Sequence, residues 1–224
     1  MVLSEIVKLM KVADCVCFDV DSTVIKEESI DELAKACGKE SEIAELTKQA
    51  MGGKMPFEEA ISRRLHIMKP SLEILNDFIE NNPPNLTPGI KEVVDYFHAN
   101  NIPVYLISGG FKSIIGPVAA KLNIPYTNIY ANRLKFYHNG EFAGYEESSP
   151  TAKTGGKGFI IHDLKLTKNY KHVVLVGDGA TDLEACPPAD VFVGFGGNVI
   201  RENVRNKCNW YCTSFVDLAE ALTK

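Results

Sequence analysis

Two aspartates one residue apart, Asp19 and Asp21, follow a short apolar run, Cys15-Val16-Cys17-Phe18. That run has β-branched and aromatic members and is bounded by Asp14 and Asp19, so it reads as a buried strand ending on acids. Acids so placed can face different sides of one pocket, where one attacks an electrophile and the other moves protons. Against a phosphate ester, a carboxylate nucleophile splits hydrolysis into two easier displacements through an aspartyl phosphate. The second acid protonates the leaving alkoxide and then deprotonates the attacking water. An Asp-rich loop capping a helix would carry the same letters, so the pair needs company.

Company comes from three other segments. Gly177-Asp178-Gly179-Ala180-Thr181-Asp182 follows a second buried run, His172–Val176, and adds two more acids. Four carboxylates beside an anionic ester would repel it. A hard cation resolves the conflict, and oxygen donors with retained waters suit Mg²⁺. A glycine turn with Thr181 as a helix N-cap accounts for part of the same segment. Ser108-Gly109-Gly110 follows the apolar run Pro103–Ile107 and precedes a helix expected from about Phe111 to Leu122. Backbone N–H groups and a hydroxyl at a helix N-terminus suit phosphate oxygens. Thr154-Gly155-Gly156-Lys157-Gly158 sets a lysine on a glycine arm before a helix. It lacks P-loop spacing, but it can supply positive charge to a site otherwise made of acids.

The elements that must position these groups alternate. Residues 3–12 read as an amphipathic helix ahead of the first strand. From Ser29 to Asn82 the pattern is helical throughout, in four stretches. Ser29-Ile30-Asp31-Glu32 reads as a capping box and Gly38 as the stop after it. Pro56 opens a later stretch with Phe57, Ile61, Leu65 and Met68 on one face, and Asn81-Asn82-Pro83-Pro84 breaks the last. Strands and helices then alternate, with a hairpin expected at 133–145 turning on Asn139-Gly140. This predicts an α/β fold: a doubly wound, mostly parallel sheet of Rossmann-like character with an inserted helical cap. The core is expected at 1–22 and 85–224 and the cap at 23–84. In such sheets ligands bind outside the carboxyl ends of the strands, where all the acid clusters should meet.

Bulk properties narrow the function further. The 224 residues carry a formal charge of −5, which argues against a nucleic-acid binder. No segment approaches the ~18–20 apolar residues of a membrane span. Six cysteines show neither zinc spacing nor an arginine six positions on, so thiol-phosphatase chemistry is not indicated. Charged residues interrupt the N-terminus before any signal sequence forms, and a reduced cytoplasmic location is expected. The five histidines sit in no catalytic context. Oligomeric state is left open, a homodimer included.

Asp19-x-Asp21-x-Thr23, Ser108, Lys157 and Gly177-Asp178-Gly179-x-x-Asp182, in that order, resemble the four motifs of the haloacid dehalogenase-like phosphatases. Asp19–Thr23, Ala50-Met51-Gly52-Gly53, Ser108–Phe111 and Gly177–Pro188 resemble the phosphoserine phosphatases among them. The likeness covers nearly the whole chain, the helical insert matching that family's cap. It implies hydrolysis of O-phospho-L-serine, a phosphoric monoester and small-molecule substrate, as the last step of serine biosynthesis. Asp19 is then the nucleophile and Asp21 the general acid and base. Mg²⁺ is held by Asp19, the backbone carbonyl of Asp21, and Asp178, with Asp182 supporting. Ser108, the amides of Gly109 and Gly110, and Lys157 hold the phosphoryl group, with Thr181 near the same oxygens. Glu28 pairs with the substrate ammonium and Arg64 clamps its carboxylate, while Met51 and Gly52 close over it. Arg63 points elsewhere. Two competing readings are action on another small phosphomonoester, including phosphoryl transfer to an alcohol, and a phosphate-binding module without turnover.

Overall fold

Cys15, Val16, Cys17 and Phe18 are all fully buried because the strand they form, β1 (Cys15–Phe18), lies at the centre of a sheet. In the computed structural model, which describes residues 2–49 and 55–224, β1 is flanked by two parallel neighbours. On one side lie β2 (Val104–Phe111) and then β3 (Ile129–Asn132). On the other lie β6 (Val173–Gly177), β7 (Val191–Phe195) and β8 (Trp210–Cys212). All five pairings are parallel, so the sheet reads β3-β2-β1-β6-β7-β8 and its winding reverses at β1. The doubly wound parallel sheet expected from the alternation is present. β3 and the helix α11 (Phe215–Thr223) were not foreseen.

The alternation of side chains across a strand decides what covers each face. Val16, Phe18, Leu106, Val174, Val176, Val193 and Phe195 point to one face. There they meet α1 (Leu3–Lys11), α6 (Ile90–Ala99), α7 (Lys112–Lys121) and α11, with Phe195 stacked on Phe215 at 4.0 Å between ring centroids. Cys15, Cys17, Tyr105, Ile107, Val173, Leu175 and Phe192 point to the other, against Ile160, Ile161 and Leu164 of α8 (Gly156–Lys168). All six cysteines are free, and Cys15 and Cys17 serve as small buried side chains.

Four helices, α2 (Ser29–Ala36), α3 (Glu40–Gln49), α4 (Phe57–Met68) and α5 (Leu72–Asn81), form a separate apolar cluster beyond the strand ends. Leu33, Ile43, Ile61, Leu65, Leu75 and Phe78 are its centre, and Phe111 and Ile114 join it from the sheet side. The hairpin of β4 (Leu134–Phe136) and β5 (Phe142–Tyr145) turns through Gly140, at φ +83°, as the Asn-Gly signal predicts. It packs against this helical cluster rather than lengthening the main sheet.

Two local expectations need correction. Ser29 is the first residue of α2 and Glu28 takes the cap position, because the Ser29 N–H is given to the Asp21 carboxylate at 2.7 Å. β2 runs on through Ser108, Gly109 and Gly110 to Phe111, and α7 starts only at Lys112. Ser108-Gly109-Gly110 is therefore strand backbone with a register shift against β3, not a helix N-terminus. Pairing with β3, which the sequence reading lacked, is what keeps it extended.

Candidate active site

The register of the three central strands assembles the site. Phe18 pairs with Leu106 of β2 and with Val176 of β6. Asp19, one residue on, is therefore level with Ile107 and Gly177, with Ser108 next along β2 and Asp178 just past the end of β6. The Asp19 N–H still bonds the Val176 carbonyl at 2.9 Å, so the residue is fixed to the sheet. After it the chain makes one wide helical turn, Val20–Val24, with Ser22 at φ 54°. That turn lets Asp21 leave in a different direction from Asp19.

Asp19, Asp178 and Asp182 are buried, and each offers an oxygen within 4.8 Å of the others. Lys157, in the first turn of α8, reaches into the group and donates to Asp19 Oδ1 and Asp182 Oδ1 at 2.7 Å each. Asp182 also accepts the Gly179 N–H at 3.0 Å, so Gly179, not Thr181, caps α9 (Ala180–Leu183). Burial drives the Asp19 carboxyl well above its ordinary range; Lys157 opposes that rise, and Asp182, Asp178 and Asp21 add to it. Burial likewise raises Asp182 against the pull of Lys157. Lys157 pays the same desolvation, yet Asp182 and Asp19 hold its pKa above the usual lysine value. Three buried carboxylates around one ammonium make an electronegative, all-oxygen donor set. The set fits a hard divalent cation and does not suit a soft one.

Asp21 belongs to a second cluster. Its Oδ1 accepts from Ser29 N–H, and its Oδ2 accepts from the Ser108 hydroxyl at 3.1 Å. Ser108 Oγ in turn accepts the Gly110 N–H at 2.9 Å. A Cβ on Gly110 would lie 3.0 Å from Asp21 Oδ2 and 3.2 Å from Ser108 Oγ, so a side chain there would crowd both. Asn132 of β3 donates to the Gly109 carbonyl at 2.8 Å and holds this strand end from behind.

One pocket between the strand ends and the helical cluster is lined by Asp19, Asp21, Glu28, Arg64, Gly109, Gly110, Lys157, Asp178 and Thr181. These residues span more than 160 positions of sequence and come from five regions. Met51 and Gly52 lie outside the described residues. Arg64 is half-buried on α4, where burial lowers its pKa while Asp31 and Glu28 raise it. Arg63 is exposed and paired with Glu59 on the same helix. The five histidines lie on the surface or half-buried, away from this pocket.

The sequence reading missed several pocket residues. Arg201, just before α10 (Glu202–Lys207), donates to Asp178 Oδ2 at 2.6 Å and to Glu28 Oε1 at 3.2 Å. Behind the pocket lining, Ser22 donates to the same Glu28 oxygen at 2.8 Å, and Thr23 of the first motif donates to Asp178 Oδ1 at 3.3 Å. Phe57, assigned only to an apolar stripe, lies over Gly109: a Cβ there would be 2.5 Å from the Phe57 ring. Arg201 could have been found, because it follows the buried run Val191–Phe195 and so belongs to the same edge of the sheet as the acids. Among the described residues no helix is long and apolar enough to cross a membrane.

Comparison with known proteins gives the family. Residues 13–190 match the family model for haloacid dehalogenase-like hydrolases. A phosphoserine phosphatase from Bos taurus is 58% identical over 98% of this chain and 97% of its own length. The Homo sapiens phosphoserine phosphatase is 57% identical over 96% of each chain. A solved structure described as a phospho-aspartyl intermediate analogue of phosphoserine phosphatase superposes with a TM-score of 0.79. It is 28% identical, and the match covers 93% of this chain and 97% of that one. The chain belongs to the haloacid dehalogenase-like hydrolases and, within them, to the phosphoserine phosphatase family.

Proposed function

We propose that this protein hydrolyses O-phospho-L-serine to L-serine and phosphate, with Asp19 as nucleophile and Mg²⁺ as cofactor. The observation that carries the reading is the joint lining of one pocket by Asp19, Lys157, Glu28 and Arg64. A substrate with phosphate, ammonium and carboxylate needs a complementary group for each. The Lys157 ammonium and the amide of Gly109 meet the phosphoryl oxygens, and the Gly110 amide does so once it releases Ser108 Oγ. Glu28 meets the ammonium. Arg64, with its planar fork of donors, meets the carboxylate.

Asp19 attacks phosphorus, and an aspartyl phosphate forms as the P–O bond to the serine oxygen breaks. Asp21 gives its proton to that oxygen. Its hydrogen bonds from Ser29 N–H and the Ser108 hydroxyl fix the direction of its carboxyl. Water then attacks the same phosphorus, Asp21 takes a proton back, and Asp19 is released with phosphate. Lys157 draws charge from the phosphoryl oxygens, and the α2–α5 layer shields the reaction from bulk water. Asp19, Asp178 and the backbone carbonyl of Asp21, with Asp182 behind them, would hold Mg²⁺. When bound, Mg²⁺ neutralises the acid cluster and stabilises charge on the transferring phosphoryl group.

The test is a phosphate-release screen with O-phospho-L-serine, O-phospho-L-threonine, small sugar phosphates and an aryl phosphate, with and without Mg²⁺. Mg²⁺-dependent release fastest from phosphoserine is expected. Equal rates across the panel would remove Glu28 and Arg64 from recognition. Formation of a new phosphoester when alcohols are added would shift the reading to phosphoryl transfer.

A further inference from the structure

Two acids that the proposed reading assigns to different ligands share one arginine. Arg201 bonds Asp178 through Nε at 2.6 Å and Glu28 through an Nη at 3.2 Å. The acid cluster is thus divided between two protein cations: Lys157 serves Asp19 and Asp182, and Arg201 serves Asp178. The two cations differ in freedom. Lys157 is 9% exposed at its side chain and grips two buried acids, whereas the Arg201 side chain is 26% exposed. Arg201 also follows a stretch, 196–200, with no regular secondary structure. A divalent cation arriving among Asp19, Asp178 and Asp182 competes with the donors already on Asp178 for its oxygen lone pairs. One of its two oxygens accepts from Thr23, and the other is held by Arg201 at the shorter distance. The added double charge also repels a guanidinium in contact with a metal-binding carboxylate.

We propose that Arg201 competes with the metal for Asp178, and that metal binding displaces its Nε from that carboxylate. The displaced guanidinium stays in the substrate pocket, which it lines, as a third cation beside Lys157 and Arg64 for the substrate's anionic groups. Its contact with Glu28 is the pivot. The inference rests on the proposed reading of the site. It adds that Arg201 couples metal loading to substrate recognition.

The test uses the full chain and Mg²⁺ itself. By NMR, the Arg201 Nε–H signal is identified as the arginine signal missing from Arg201→Lys. It is expected to move during a Mg²⁺ titration with the midpoint of metal binding measured by calorimetry. By the same calorimetry, Arg201→Gln is expected to bind Mg²⁺ about two- to fivefold more tightly, the scale of a partly exposed ion pair. Arg201→Lys, which keeps the charge, separates loss of the contact from loss of charge alone. If Arg201→Gln does not fold, the wild-type titration decides by itself. An Nε–H signal that stays in place at saturating Mg²⁺ overturns the proposal, even where Mg²⁺ supports phosphate release. Failure of Mg²⁺ either to bind or to support release from the wild-type chain would instead sink the proposed function, and this inference with it.

Discussion

At the scale of single residues, the site is governed by burial of like charges. Asp19 is driven up by desolvation and made useful by Lys157 at 2.7 Å, so its ionised form depends on that contact. Asp19→Asn keeps the shape but removes the nucleophile. Phosphate release should fall by about a thousandfold or more, the scale seen when a nucleophile is lost, with an unchanged circular-dichroism spectrum. Near-normal turnover would rule out Asp19 as the attacking group. Arg64→Ala removes charge-assisted hydrogen bonds that contribute about 2–3 kcal/mol, or about 30- to 150-fold in kcat/KM. That loss should appear with phosphoserine and be small with an aryl phosphate. Burial raises the Glu28 carboxyl to about 7, with Asp21 adding to the rise and the Ser22 hydroxyl opposing it. Its charge is therefore present above about 7 and lost as pH falls through that value. On the proposed reading the substrate ammonium needs that charge, so kcat/KM for phosphoserine should drop below about pH 7 more steeply than for an aryl phosphate. For folding the sign is opposite: a raised acid costs stability increasingly from its ordinary value of 4.5 up to about 7.

At the scale of elements, the strand end 108–111 and the helix α4 act on each other. Phe57, the first residue of α4, lies over Gly109, and Glu58 beside it accepts from the Thr154 N–H at 3.0 Å and hydroxyl at 2.9 Å. α4 is thus tied both to the β2 strand end and to the loop that leads into α8 and Lys157. Gly109→Ala would place a methyl against the Phe57 ring and push α4 away from the pocket. A loss of about tenfold in kcat/KM for phosphoserine is expected, with partial recovery in Gly109→Ala/Phe57→Ala. A purely additive double variant would show that the two positions do not communicate. The sequence could give the apolar stripe of α4 but not this contact, because periodicity reports which face is apolar and not what it meets. The same limit explains the misread of Ser108-Gly109-Gly110: small residues before a helical pattern fit a turn equally well, and the pairing with β3 decided otherwise.

At the scale of the whole molecule, one sheet carries the chemistry and a separate apolar cluster covers it. The sheet is anchored on the face where Phe18, Phe195 and Phe215 meet, with Phe215 fully buried. Phe215→Ala should cost about 3–5 kcal/mol. For a chain of this size that lowers Tm by about 6–20 °C at 2–4 °C per kcal/mol. The mutation lies on the face that packs α11, so kcat at low temperature should change little. Melting followed with and without a phosphate-release assay separates the two effects, and a loss of kcat equal to the loss of folded protein is the only loss expected.

The sequence by itself determined the chemical inventory. Acids after apolar runs, a lysine on a glycine arm, and the alternation of strand and helix are local signals, and each survives because a strand must bury its residues and expose its end. Four helical stretches between 29 and 82 were legible as well, through their breaks and the apolar stripe of α4, although the cap expected at Ser29 falls on Glu28. What only the tertiary structure decided was how the charges are shared. The sequence could not place Arg201 between Asp178 and Glu28, 23 and 173 positions away. It could not give Asp182 to Lys157, or give Asp21 to Ser29 and Ser108. Such pairings follow from strand order and register, which depend on long-range packing. In a buried acid cluster those few ångströms decide which carboxylate is neutralised, which is left to attack, and which is left for a metal.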